Sequence, residues 1–198
     1  MAYSHSRVSK TSRKLYKKLK KLRGSIVLII IGLILLGYGG FNYYKIRILS
    51  FTKPVAPASA VSQKGSDPME IIIPSIKIDE PVDTGTIKDG VWQISYDHPT
   101  FLDSSARPGT NGNVVIYGHN KKVIFGNLPY LSLGQTITIK TKGGKTYNYI
   151  ADQKYFVGPD RVDLVSPTDN EELTIYTCWG VFDSERAVIK AKPLTPST

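Results

Sequence analysis

Residues 136–156 read TITIKTKGGKTYNYIADQKYF, and this stretch decides the fold. Two runs rich in Ile, Thr and Tyr, Thr136–Thr141 and Thr146–Phe156, flank Lys142-Gly143-Gly144-Lys145. Paired glycines supply the positive φ that a tight hairpin turn demands, so the stretch predicts two antiparallel strands. Outward from the hairpin, further β-rich runs are separated by Gly, Pro, Asn and Asp. They are Ile71–Ile73, Ile76–Val82, Val91–Ser95, Asn113–Tyr117, Leu173–Cys178 and Ala187–Ala191. Only Phe125–Leu131 hints at a helical turn, and Pro129 limits it. About eight strands with almost no helix predict an all-β domain, a closed or nearly closed antiparallel barrel.

The chain carries a net charge of +10 over 198 residues, but the charge is unevenly placed. Nine of the 26 cations fall in residues 1–23, where there is no acid, and the remaining 17 nearly balance the 16 acids. The basicity belongs to a tail, not to the domain, which argues against nucleic acid as a partner. Within the tail Leu15, Leu19 and Leu22 recur at helical spacing among lysines. That pattern fits either a basic amphipathic helix on anionic headgroups or a disordered polybasic arm.

Residues 24–44 contain no charge, and Ile26–Leu36 is almost wholly aliphatic. Such a run matches the roughly 20 residues needed to cross a bilayer as a helix. The cations ahead of it predict a cytoplasmic N-terminus, with everything after Tyr44 outside the cell membrane. Ala58-Ser59-Ala60 resembles a signal-peptidase site, but the apolar run is too long and too far upstream for a cleaved signal. An uncleaved single-pass anchor is therefore expected. Residues 45–68 then read as a flexible linker, 69–193 as the β-domain and 194–198 as a C-terminal tail.

Cys178 is the chain's single cysteine, so no intramolecular disulfide can form. In an oxidising extracellular setting an unpaired thiol needs a reason. One reason is burial as a small apolar side chain. The other is nucleophilic catalysis, since Cys178 ends a strand with His119 upstream and Arg186 downstream. His119 closes the strand Asn113–Gly118 and is the side chain suited to acid–base work near neutral pH. Arg186 reads either as a surface cation paired with Asp183 or Glu185, or as a fixed donor to developing oxyanion charge. His98 sits in a loop before Pro99, and His5 lies in the tail. One Cys and three scattered His make no zinc site, and no phosphate-binding loop precedes a helix. Asp152, Asp160, Asp163, Asp169, Glu171 and Glu172 match no compact Ca²⁺ loop. No cofactor or metal is expected.

These motifs together resemble the sortases, membrane-anchored cysteine transpeptidases of bacterial surfaces. Thr174-Ile175-Tyr176-Thr177-Cys178 is similar to their Thr-Leu-x-Thr-Cys signature, with Ile in place of Leu. Val115-Ile116-Tyr117-Gly118-His119 is similar to their strand ending in Gly-His, and Arg186-Ala187-Val188-Ile189 to their last strand. The likeness includes residues 72–78 and 125–128 and spans about Met69 to Pro193. It implies an eight-stranded barrel and a two-step acyl transfer. Cys178 would attack a backbone carbonyl in a sorting signal of Leu-Pro-x-Thr-Gly type on a surface protein. His119 would protonate the leaving amine, and Arg186 would stabilise the oxyanion or hold substrate. An amine from a cell-wall precursor or a pilin lysine would then resolve the thioacyl enzyme, whereas water would make the reaction that of a thiol protease. The resemblance implies Ca²⁺ for some relatives only. The non-enzymatic alternative is a membrane-tethered β-domain that binds peptide or wall polymer with Cys178 merely buried.

Overall fold

The computed structural model of the chain describes residues 25–41, 65–88 and 90–194. The chain divides into two units, Met1–Ile46 and Arg47–Thr198. In the first, residues 25–41 are helical and largely solvent-exposed. Among the described residues no helix is long and apolar enough to cross a membrane. Residues 24 and 42–44 of the expected anchor, the basic tail, residues 45–64 of the linker and the last four residues lie outside the described set.

The second unit is all-β, as expected, with eleven strands: β1 (Pro68–Ile73), β2 (Ile78–Pro81), β3 (Asp83–Gly85), β4 (Ile87–Lys88), β5 (Val91–Trp92), β6 (Thr100–Leu102), β7 (Asn113–Gly118), β8 (Thr136–Thr141), β9 (Thr146–Val157), β10 (Glu172–Trp179) and β11 (Glu185–Pro193). Nine of them form one sheet in the order β2-β1-β8-β9-β11-β10-β7-β6-β3, and β4 with β5 forms a separate small hairpin. The main sheet curls into a nearly closed barrel of nine strands where eight were expected. Seven of the expected strands belong to it, and β3 and β6, three residues each and paired parallel to one another, are additional. The expected strand Val91–Ser95 is only Val91–Trp92 (β5) and pairs with β4 outside the main sheet. Nor is the barrel wholly antiparallel, because β7 and β10 also run parallel. Both are buried on their two faces, which is the usual environment of parallel strands.

Side chains alternate accordingly. Val114 and Ile116 of β7 with Leu173 and Ile175 of β10 enter the barrel core, alongside Ile71, Ile137, Ile139 and Phe125. Val115, Tyr117, Tyr176, Cys178 and Val188 point the other way, into a second apolar cluster with Trp92, Leu102, Leu164 and Val165. Full burial of each large aliphatic side chain contributes about 1.5–3 kcal/mol, so this second layer is a substantial part of the fold.

Two boundaries differ from expectation. The run Ile76–Val82 is not one strand, because a 3-10 turn at Pro74–Ile76 ends on Lys77 in a left-handed conformation (φ 56°) before β2 begins. The domain also starts before Met69. Asp67 accepts from Arg107 Nε at 3.2 Å and from Lys142 Nζ at 3.2 Å. Arg107 is itself buried, donating to Asp103 and to the Ser105 carbonyl. A buried guanidinium is tolerated only when its donors are matched in this way, so residues 65–68 belong to the folded body. At the other end Leu194 N–H donates to the Asn148 carbonyl at 2.7 Å.

Candidate active site

The β10–β11 ladder places Cys178 directly opposite Arg186. On the other side of β10 the parallel ladder places Thr177 opposite Gly118. The next residue along each of those strands is Cys178 on one and His119 on the other. Arg186 and Cys178 thus form a directly opposed pair on one face of the sheet, and His119 follows the end of β7, one residue past the last pair of the ladder on the other side of β10. Sequence separations of 59 and eight residues collapse to neighbouring strand positions. Cys178 and Arg186 are each 2 % exposed, and His119 is half-buried.

Local chemistry fixes this arrangement. Thr177 Oγ1 donates to the Gly118 carbonyl at 2.9 Å, a buried bond that pins the end of β10 to the end of β7. Thr174 Oγ1 donates to Asn113 Oδ1 at 2.6 Å at the other end of the same pair of strands. Asn113 Nδ2 in turn donates to the Ser166 carbonyl at 3.0 Å, anchoring the segment that connects β9 to β10. A Cβ on Gly118 would lie 2.8 Å from Ile124 and 2.9 Å from Phe125. The residue is therefore needed for the close packing of the end of β7 against Ile124 and Phe125. Thr177→Val should leave a buried carbonyl unmatched, costing about 1–3 kcal/mol. Chemical denaturation of the variant tests this, and an unchanged midpoint would contradict the pinning role.

Between β10 and β11 the chain turns at Gly180 (φ 80°, ψ −177°), a backbone region open essentially to glycine alone. Phe182 and Asp183 follow in left-handed conformations (φ 54° and 59°). This turn brings the Asp183 carbonyl to Arg186 Nη1 at 3.1 Å, while the Glu185 carbonyl accepts from the same nitrogen at 2.9 Å. The Asp183 carboxylate meanwhile accepts from Asn120 Nδ2 at 2.6 Å. Arg186 is thus a buried residue held by backbone oxygens, which removes the surface-cation reading of it. Over His119 lies the Tyr96 ring, 6.1 Å away and edge-on. The Lys121 ammonium caps that ring and donates to the Tyr96 carbonyl at 2.7 Å.

Burial pushes the Cys178 thiol up to about 12, the Arg186 guanidinium pulling against this shift and the Asp183 carboxylate adding to it. The resting side chain is a protonated thiol at neutral pH. Its alkylation by iodoacetamide should therefore accelerate about tenfold per pH unit from pH 7 to 10, since the thiolate is the reacting form. A plateau near pH 7 would instead reveal a resting thiolate. Beside the thiol Tyr176 stacks on Tyr117 (5.6 Å, 15°), and Trp92 packs edge-on against both. Tyr117 Oη also donates to the Gln93 carbonyl. These contacts hold the small hairpin against β7 and β10.

The other sequence candidates fall elsewhere. His98 lies 3.9 Å from Glu80, too far for a hydrogen bond. A cavity of about 720 Å³, lined by Asp169, Glu171, Glu172 and Lys192 among others, sits at the opposite end of β10 from Cys178. Among the described residues no three His, Cys, Asp or Glu side chains gather as metal ligands. Sequence alone does not single out Thr177, Asn120 or Asp183 as parts of the site's framework. Of these Thr177 carries a signal as part of the quoted signature, and Asp183 only as a carboxylate close to Arg186 in the chain.

Comparison with known proteins agrees with this geometry. A family model described as Sortase domain matches residues 71–194, more than half of the chain. The search of curated proteins finds no match. Among solved structures the chain is similar to the lid mutant of sortase A from Corynebacterium diphtheriae, with 26 % identity, 70 % of this chain and 77 % of that one covered, and a TM-score of 0.54. It is similar to the sortase D5 transpeptidase of Clostridium perfringens, with 26 % identity, coverage of 64 % and 78 %, and a TM-score of 0.55. Sortase C-1 from Actinomyces oris, at 21 % identity, coverage of 74 % and 84 % and a TM-score of 0.56, shares the fold. These neighbours belong to several sortase classes and single out no subclass. With its matched region running from β1 through the strands that carry His119, Cys178 and Arg186, the chain belongs to the sortase family.

Proposed function

We propose that the protein is a cysteine transpeptidase in which Cys178 is the nucleophile, His119 the general acid and base, and Arg186 the oxyanion or substrate donor. The observation that carries this reading is the pairing of Cys178 with Arg186 across β10 and β11, with His119 directly after the end of β7 on the other side of β10. The Cys178 proton passes to His119 as the sulfur attacks the carbonyl carbon of the scissile peptide bond. The new C–S bond forms, the C–N bond breaks, and His119 returns its proton to the departing amine. An incoming amine then attacks the thioester, His119 takes the proton it sheds, and as the C–S bond breaks that proton passes to the Cys178 sulfur, restoring the thiol. Arg186, held by two backbone carbonyls, lies opposite the nucleophile, where charge develops on the carbonyl oxygen. Transfer outruns hydrolysis only if water is kept from the thioester.

The substrate proposed is a surface protein bearing a C-terminal signal of Leu-Pro-x-Thr-Gly type, cut between Thr and Gly. The acceptor proposed is an amine of a cell-wall precursor or a pilin lysine. We place the domain outside the cell, tethered by a single anchor over residues 24–44 with the N-terminus in the cytoplasm. Incubating the protein with Leu-Pro-x-Thr-Gly peptides and graded amine acceptors tests the assignment. The expected result is ligated product that rises with amine concentration at the expense of hydrolysed peptide. Peptide recovered intact under every condition would sink the transpeptidase reading.

A second reading draws on the burial of Cys178: a tethered binding domain would also bury its thiol. It predicts that peptide or wall polymer binds and is released unchanged, and that variants at His119 and Arg186 bind it as well as the parent.

A further inference from the structure

We propose that Asp183 is a positioning residue for the transfer reaction, using its carboxylate to hold the segment after His119 and its carbonyl to hold Arg186. This inference rests on the transpeptidase reading above. Two bonds carry it: Asn120 Nδ2 donates to Asp183 Oδ1 at 2.6 Å, and Arg186 Nη1 donates to the Asp183 carbonyl at 3.1 Å. Asn120 is the neighbour of His119 in the chain, and Arg186 is opposite Cys178 in the ladder. One residue therefore ties together the two segments that flank the nucleophile.

The backbone supports this assignment. Phe182 and Asp183 are consecutive left-handed residues and neither is glycine. Strain of that kind persists only where surrounding contacts impose it, and it concentrates at functional sites. Asp is among the few side chains that tolerate the conformation. The neighbouring Phe182 is 85 % exposed, so its own packing cannot hold the turn, whereas the half-buried Asp183 is bonded through both side chain and main chain. The carboxylate also opposes ionisation of Cys178, against the pull of Arg186. It thereby favours a thiol that ionises only as its proton is taken up by a base.

The test uses the full chain, a Leu-Pro-x-Thr-Gly peptide and an amine acceptor. Asp183→Gly keeps the left-handed backbone and the carbonyl but removes the carboxylate, and Asn120→Ala removes the same bond from its other end. Each should lower kcat about tenfold with KM within about twofold and a thermal midpoint close to that of the parent. The double variant should be no slower than Asp183→Gly alone, because Asn120→Ala removes only the bond that Asp183→Gly has already removed. Asp183→Asn retains an acceptor for Asn120 and should recover most of the loss seen in Asp183→Gly. Parental kcat in Asn120→Ala, or losses that multiply in the double variant, would overturn the proposal. If Cys178→Ala retained full transfer, the transpeptidase reading itself would fail, which separates the two claims.

Discussion

Cys178→Ala is expected to abolish acyl transfer while leaving the barrel folded. Loss of a catalytic nucleophile typically costs on the order of 10⁴-fold or more in rate, and no other thiol exists in the chain to substitute. The structural cost is small by comparison. Cys178 is 2 % exposed at the end of β10, packed with Tyr176, Tyr117 and Val188. Removing one buried sulfur leaves a void worth about 1 kcal/mol, or a few degrees in thermal midpoint. Circular dichroism should therefore match the parent, and the reaction should be absent. Retained activity in this variant would remove Cys178 from the mechanism.

Arg186→Lys is expected to lower kcat about 10²–10³-fold, the range seen when one oxyanion donor is lost. The substitution keeps the charge but not the planar fork of donors. At present Nη1 serves the carbonyls of Asp183 and Glu185 together. A lysine ammonium engaging those oxygens has no rigid second arm for a substrate oxygen. Steady-state kinetics separate the two roles considered for this residue. An oxyanion donor lowers kcat with little change in KM, whereas a clamp on the bound substrate raises KM as well. Near-parental turnover would reduce Arg186 to a structural residue of the β10–β11 turn.

The hairpin at 136–156 is legible because its information is local: two β-forming runs and a glycine pair in one window. The parallel pairing of β7 with β10 is not, since it depends on which distant strand fills the gap beside β10. The three-residue strands Asp83–Gly85 and Thr100–Leu102 are too short to show any alternation. The break at Lys77 is hidden for a similar reason, as an apolar run conceals a single left-handed residue. In the site Cys178, His119 and Arg186 stand out by residue type and strand-end placement. The tie through Asp183 does not, because it arises from two consecutive non-glycine residues of positive φ, which no sequence pattern announces. Burial of Arg186 is equally hidden, since it draws on main-chain carbonyls of Asp183 and Glu185 that only the folded turn brings to its guanidinium.

The most direct measurement is intact-protein mass spectrometry of the chain incubated with Leu-Pro-x-Thr-Gly-like peptides, followed by an amine chase. The account predicts an acyl adduct that maps to Cys178, disappears on addition of amine as ligated peptide forms, and never arises in Cys178→Ala. A chain that binds the peptides yet forms no adduct at Cys178, with or without amine, would contradict it.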